Sequence, residues 1–375
     1  MKDLIISDIH LDMKNGDSNF LIYQDLFFEQ VFDYLNKNEV RYVIFLGDIF
    51  TNKQTININV MDYALDLLSK ISEYNVEIIM INGNHVLYHK NSYKLDSVDV
   101  VFRNRDNINS ISFVDYLVID NYAFFNWRNT KEEYVELFES IENIENIEYV
   151  FGHFDMFGYM HTRFAENSNE TALTKKDIIS RFPNLKKIVS GHYHLPQEDS
   201  KVLYPGVPYQ LAWSDAGLEL GFYTLENDIF TFHRNEYVMY ETINIKCLDD
   251  ISKYTHLECD LGYYKYYKII FNVDDIEDEI YNFKLRLEKF GNKVTIINNF
   301  EFFNSDIDVA NTDDDDLELV HSDSGVNNVE LNLEWLIKDY IYGINIDDDE
   351  KDEFYNSFIN VYNSVKVEIM QNFEI

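Results

Sequence analysis

Five apolar runs in this chain each stop on a residue able to bind a metal ion. Leu4-Ile5-Ile6-Ser7 leads into Asp8-Ile9-His10, and Tyr42-Val43-Ile44-Phe45-Leu46 into Gly47-Asp48. Val76 to Ile81 closes on Asn82-Gly83-Asn84-His85, Glu148 to Phe151 on Gly152-His153, and Lys187 to Ser190 on Gly191-His192-Tyr193-His194. Short runs rich in β-branched and aromatic residues suit strands buried on both faces. Gly47 lets the backbone turn tightly at a strand end, which leaves Asp48 at the mouth of a sheet. A carboxylate there is costly unless something positive meets it. A single ending of this kind carries little information, but five in one chain are hard to assign to packing.

The segments between the runs change period. Phe28, Val31, Phe32 and Leu35 share one face of a stretch from about Leu21 to Asn36, and Val60, Ala64, Leu67, Leu68 and Ile71 recur at helical spacing. Strand and helix therefore alternate, and the fold class expected is α/β, a sandwich or layered sheet. At 375 residues, 46% of them hydrophobic, the chain can hold one large domain and one or two small ones. No apolar run approaches the length of a membrane span, so no membrane role is expected. Met1-Lys2-Asp3 runs directly into a strand pattern without a signal peptide. Cys247 and Cys259 could pair in principle, but two scattered thiols in a chain without a signal suit a cytoplasmic protein, in host cytoplasm if the chain is viral.

Charge constrains function more sharply. Thirty-one basic against 67 acidic residues give −36, the wrong sign for a protein that holds DNA by a basic surface alone. Bound divalent cations would reverse the field locally.

Beyond about Ile245 the character changes. Tyr267, Ile269, Phe271 and Val273 alternate as in a half-buried strand. Ile276, Ile280, Phe283, Leu287 and Phe290 then follow a helical face that ends at Gly291, and Val294 to Ile297 reads as a second strand. The domains expected are 1–245, a small α+β domain at 246–305, an acidic linker at 306–329 containing Asp313 to Asp316, and a helical segment at 330–375. The apolar faces of that last segment, Leu333, Leu336 and Tyr340, then Phe354, Phe358, Val361, Val365 and Ile369, need something to dock on.

The strand-end residues form one chemical set: Asp8, His10, Asp48, Asn84, His153, His192 and His194, with His85 adjacent. Oxygen and imidazole donors without thiolate suit Mn, Fe or Zn. Asp-x-His and His-x-His each put two donors on one side of an extended segment. Asp48 bridging two ions roughly 3.5–4 Å apart would give a site that clamps a phosphate and activates water for in-line attack. His85 is placed to stabilise the phosphate in the transition state or to protonate the leaving oxygen.

In order and combination, Asp8-Ile9-His10, Gly47-Asp48, Gly83-Asn84-His85, Gly152-His153 and Gly191-His192-Tyr193-His194 resemble the motifs of calcineurin-like metallophosphoesterases. The resemblance implies an αββα sandwich with two divalent metal ions. Asp8, His10, Asp48 and His194 would hold one, and Asp48, Asn84, His153 and His192 the other. Tyr204-Pro205-Gly206-Val207-Pro208 resembles the Tyr-x-Gly-x-Pro turn of the Mre11/SbcD nucleases, and the segment from Gly83 to Asn91 is similar to that of T4-type phage members. That branch implies an exonuclease or endonuclease subunit of recombination, repair or replication. Its metal would be Mn²⁺, with Mg²⁺, Fe or Zn as alternatives. Its partners would be DNA, a second copy in a homodimer, and a Rad50/SbcC-like ATPase bound by the C-terminal helices, with the small domain capping the DNA site.

Two positions depart from the family pattern. Val86 stands where many relatives carry Asp, and Thr51 where cellular members often carry a histidine implicated in exonuclease action. The alternative function on the same core is a stand-alone phosphatase or small-molecule phosphodiesterase, and a non-enzymatic scaffold for an ATPase is the third. His89, His161, His233, His256 and His321 read as surface or packing histidines, with a DNA-facing role open for His89 and Lys90. Arg103, Arg105, Arg128 and Arg163 read as ordinary exposed arginines, with phosphate contact as the alternative.

Overall fold

The computed structural model describes residues 2–298, apart from 53–54, 86, 90–91, 97–100, 103–104, 106, 112, 164 and 272–275. The acidic linker expected at 306–329 and the helical segment expected at 330–375 lie outside the described residues, as do Val86, Lys90, Arg103 and His321.

Two six-stranded sheets form the body of the chain. In the first, Lys2–Ile6, Val40–Phe45, Glu77–Met80 and Ser110–Ile111 run parallel in that order. Gly221–Glu226 and Ile229–Arg234 extend it antiparallel beyond Lys2–Ile6. In the second, Val202–Tyr204, Lys187–Gly191, Tyr149–His153 and Tyr122–Phe125 run parallel, with antiparallel edge strands Gln197–Glu198 and Tyr116–Ile119.

Alternation along each strand sorts side chains to two faces. Ile5, Ile44 and Ile79 of the first sheet meet Phe124, Phe151 and Val189 of the second in a core between the sheets. Their neighbours Leu4, Val43 and Ile78 point the other way, onto helices Ser18–Lys37 and Ile58–Ser72. Ala123, Val150 and Ile188 likewise face helices Lys131–Ser140 and Lys175–Arg181. The result is the αββα sandwich. Strands that are apolar on both faces are the physical reason that the runs read as continuous rather than alternating.

Helix starts follow local chemistry. Asp17 accepts hydrogen bonds from the N–H groups of Asn19 and Phe20 at 3.0 and 3.1 Å, and Thr130 and Thr174 form capping boxes with Glu133 and Asp177. The two sheets are also tied by a buried polar contact. Arg41 forks onto Asp3 at 3.1 and 2.9 Å, and Tyr122 of the opposite sheet donates to the same carboxylate at 2.6 Å.

After the sandwich, Tyr240–Ile245, Tyr266–Phe271 and Lys293–Asn298 form a separate three-stranded parallel sheet. Its first strand lies before position 246. Helix Glu277–Glu288 buries Ile280, Phe283 and Leu287 against it, giving this unit a core of its own. Asn19 joins it to the sandwich, donating to the Tyr264 carbonyl and accepting from the Tyr264 N–H, both at 3.0 Å. Cys247 and Cys259 are both free thiols. Among the described residues no helix is long and apolar enough to cross a membrane.

The inter-sheet core sets one expectation. Phe151 is fully buried and stacks on Phe124 with ring centroids 4.9 Å apart. Phe151→Ala should lower stability by about 3–5 kcal/mol in urea unfolding, through lost burial and the cavity left behind.

Candidate metal centre

The strand ends of both sheets converge, at the carboxyl ends of their parallel strands, where α/β sheets offer a crevice. Asp8 and His10 follow the first strand, Asp48 the second, and Asn84 and His85 the third. His153 closes Tyr149–His153, and His192 and His194 follow Lys187–Gly191. All seven expected donors and His85 are therefore gathered from two sheets into one place.

The backbone is bent hard to achieve this. Asp8, His10, Asp48 and His192 have φ of 47°, 42°, 45° and 93°, in the left-handed region that side chains disfavour. Such conformations cost of order 1–3 kcal/mol each and persist where surrounding contacts over-determine them, often at functional sites. Here the Asp48 carbonyl accepts from the His10 N–H at 3.0 Å, locking the first two strand ends together. Glycine is needed where these ends touch. A Cβ on Gly83 would fall 2.1 Å from Asp48 Oδ1, and one on Gly47 would fall 2.3 Å from His153 Nδ1.

Asp8, His10, Asp48 and His153 form a buried floor, with exposures of 0, 2, 2 and 0%. Asn84, His85, His192 and His194 form a half-buried rim open to solvent. Two groups of donors lie within reach of single ions, Asp8 with His10 and His194, and Asp8 with Asp48 and His153. Asp48 stands between the histidines, its Oδ2 3.2 Å from His153 Nε2 and 4.0 Å from His10 Nε2. Asn84 Oδ1 lies 3.1 Å from both His153 Nε2 and His192 Nδ1. His10 Nε2 and His194 Nε2 face each other at 3.2 Å.

Electrostatics follow from this crowding. Burial alone would push the Asp48 carboxyl up, but His153, His85 and His10 hold it well below the usual range. Burial opposes a charge on His153, yet Asp48 against it raises the imidazole to about 9. Burial and the neighbouring His194 push His10 well down.

These donors fit divalent cations. His153 Nδ1 lies 2.8 Å from the Leu46 carbonyl, which can only accept, so this nitrogen carries the proton. Its Nε2 faces two oxygens, Asp48 Oδ2 and Asn84 Oδ1, and the raised pKa of the ring shows that this point favours a positive charge. A bound cation would supply that charge in place of the Nε2 proton, and the opposed ring nitrogens of His10 and His194 offer a second such point. Oxygen and imidazole donors in this mixture suit first-row divalent metals.

Several supporting residues carry no signal in the strand-end pattern. Ser7 donates to Asp8, and the His192 N–H lies 3.1 and 3.2 Å from the two Asp8 oxygens. Tyr209, just past the Tyr-x-Gly-x-Pro turn, donates to the carbonyl of Ile9, between two donors, while Val207 N–H bonds the His194 carbonyl at 3.1 Å. Trp127 lies over the rim, its ring centroid 5.0 Å from that of His192. Asp155 accepts from Tyr193 at 2.6 Å and Asn167 at 2.9 Å and faces His192 Nε2 at 3.6 Å, and its pKa is lowered to about 2, burial being outweighed by His192. His161 is exposed, as its surface reading expects, and it lies with Asp155 and His192 in a third group of donors. Arg128 is not the exposed arginine expected. It is 4% exposed, paired with Asp115 at 2.6 Å and bonded to the Trp127 carbonyl at 2.7 Å. His233 does pack, stacked on Phe222 at 4.7 Å.

Comparison with known proteins agrees with this geometry. Residues 1–196 match the calcineurin-like phosphoesterase family. Exonuclease subunit 1 of Enterobacteria phage T4 is 24% identical over 236 residues, covering 61% of this chain and 65% of the relative's length. A solved structure of a dimetal phosphatase from Danio rerio is 13% identical and covers 63% of this chain and 96% of its own, with a TM-score of 0.35.

Gly83→Ala tests the packing of the centre. A methyl group driven against Asp48 should weaken divalent-metal binding by about tenfold or more in calorimetric titration, while far-ultraviolet circular dichroism keeps its wild-type shape. Unchanged affinity would mean that the methyl is accommodated without displacing Asp48.

Proposed function

Because the chain belongs to the calcineurin-like phosphoesterase family, we propose that it is a DNA nuclease subunit that hydrolyses phosphodiester bonds at a two-metal centre. The observation that carries the reading is the convergence of seven oxygen and imidazole donors, buried Asp48 among them, with one further histidine at the rim. Asp8, His10, Asp48 and His194 would hold one ion, and Asp48, Asn84, His153 and His192 the other. When bound, two such ions neutralise phosphate charge and lower the pKa of an attacking water.

His85 supplies the remaining chemistry. Its backbone N–H bonds Asp48 Oδ1 at 3.1 Å, and its Nδ1 lies 3.0 Å from the Thr51 carbonyl. That carbonyl can only accept, so Nδ1 carries a proton and Nε2 is left for substrate. A proton on Nε2 stabilises charge growing on the phosphate and can pass to the leaving oxygen.

DNA as substrate is supported by the likeness to a phage exonuclease subunit. Mn²⁺ is the proposed metal, and the proposed setting is recombination, repair or replication. In this reading the unit from Tyr240 to Asn298 caps the DNA site, two copies pair as a homodimer, and residues 330–375 bind a Rad50/SbcC-like ATPase. A net charge of −36 repels a polyanion, so cations at the centre and the partner's surface would supply the attraction. The same charge favours a second reading, a phosphatase or phosphodiesterase acting on small substrates.

Cleavage of linear and single-stranded DNA with Mn²⁺ or Mg²⁺, with and without a candidate ATPase, separates the two. Metal-dependent cleavage that falls about 10²–10⁴-fold in His85→Ala is the expected result. Intact DNA in every condition, alongside hydrolysis of bis-p-nitrophenyl phosphate, would transfer the function to small phosphodiesters.

A further inference from the structure

Thr51 touches both halves of the chemistry without being a donor to either. It lies three residues past Asp48, in the loop that leaves the second strand. Its hydroxyl Oγ1 is 3.0 Å from His10 Nδ1, and its carbonyl oxygen is 3.0 Å from His85 Nδ1. The loop itself is pinned by Asp12, 8% exposed, whose carboxylate accepts the N–H of Thr51 and, at 2.8 Å, that of Asn52.

We propose that Thr51, held by Asp12, is a positioning residue that fixes the ring orientation and tautomer of both His10 and His85. The inference rests on the two-metal reading above. When Thr51 Oγ1 accepts the proton on His10 Nδ1, the lone pair of Nε2 is aimed at the space shared with His194 and Asp48. A histidine ligand is commonly set in this way by a partner on its other nitrogen. The carbonyl arm does the same for His85, directing Nε2 outward. One residue thereby couples the ring that binds metal to the ring that meets substrate. Asp12 closes the run Asp8-Ile9-His10-Leu11-Asp12, so one strand end supplies two donors and the anchor for the loop that orients them.

The two arms separate experimentally, because Thr51→Val removes the hydroxyl and keeps shape and carbonyl, whereas Asp12→Asn loosens the loop carrying both. Full-length variants are titrated with Mn²⁺ by calorimetry and assayed for phosphodiester cleavage across Mn²⁺ concentrations. Thr51→Val should weaken the tighter Mn²⁺ step by about 10–100-fold, and excess Mn²⁺ should recover the larger part of the rate. Thr51→Ser, which restores the hydroxyl, should return affinity to within a few-fold of wild type. Asp12→Asn should lower affinity and also lower kcat at saturating Mn²⁺, because His85 loses its carbonyl partner. Wild-type affinity in a folded Thr51→Val protein overturns the hydroxyl arm, and wild-type kcat in Asp12→Asn overturns the carbonyl arm. Absence of Mn²⁺ binding by the wild-type protein would instead bring down the two-metal reading and this inference with it.

Discussion

Asp48 is a carboxylate in a place where burial opposes its charge, and the surrounding structure is arranged to keep it charged. It is 2% exposed and touches histidines delivered by three other strand ends. An isolated buried carboxylate would take up a proton, so its ionisation depends on positive partners nearby. That dependence explains the glycines around it. Gly47 and Gly83 exist at these positions because any side chain would occupy the volume of His153 or of Asp48 itself. It also explains the left-handed backbone of Asp8, His10, Asp48 and His192, which turns each donor inward immediately after its strand ends.

The sandwich is what makes such a gathering rigid. Two mixed sheets packed through Ile5, Ile44, Phe124 and Phe151 hold the ends of their parallel strands at fixed separation. The first sheet contributes Asp8, His10, Asp48 and Asn84, and the second contributes His153, His192 and His194. Neither sheet alone contains a complete set, so the site is a property of their packing. Tyr209 and the turn before it reinforce the junction by bonding the backbone between Asp8 and His10. Orientation is then set one layer out, by main-chain oxygens as often as by side chains. The Leu46 carbonyl fixes His153, and the Thr51 carbonyl fixes His85.

How much of this could be read beforehand differs from residue to residue. His153 and His192 were visible because each follows an apolar run and a glycine, a pattern that local sterics impose. Asp12 was not, although it lies two residues past His10, because its task depends on a loop 40 residues further on. Arg128 reads as exposed for the same reason: its partner Asp115 is brought to it by the pairing of Tyr116–Ile119 with Tyr122–Phe125. The outer strands Gly221–Glu226 and Ile229–Arg234 pair across one edge of the first sheet without sending any donor to the centre.

The sequence by itself determined which residues are chemically able to act and which strands they end. Apolar period and turn chemistry are local, and strand, glycine and donor follow one another within a few residues. It also determined the α/β class, since strands apolar on both faces require helices on either side. Only the tertiary structure decided which oxygen faces which nitrogen. Hydrogen-bond direction, tautomer and the burial of Asp48 depend on distances between segments far apart in the chain, and those distances are set by how the two sheets pack.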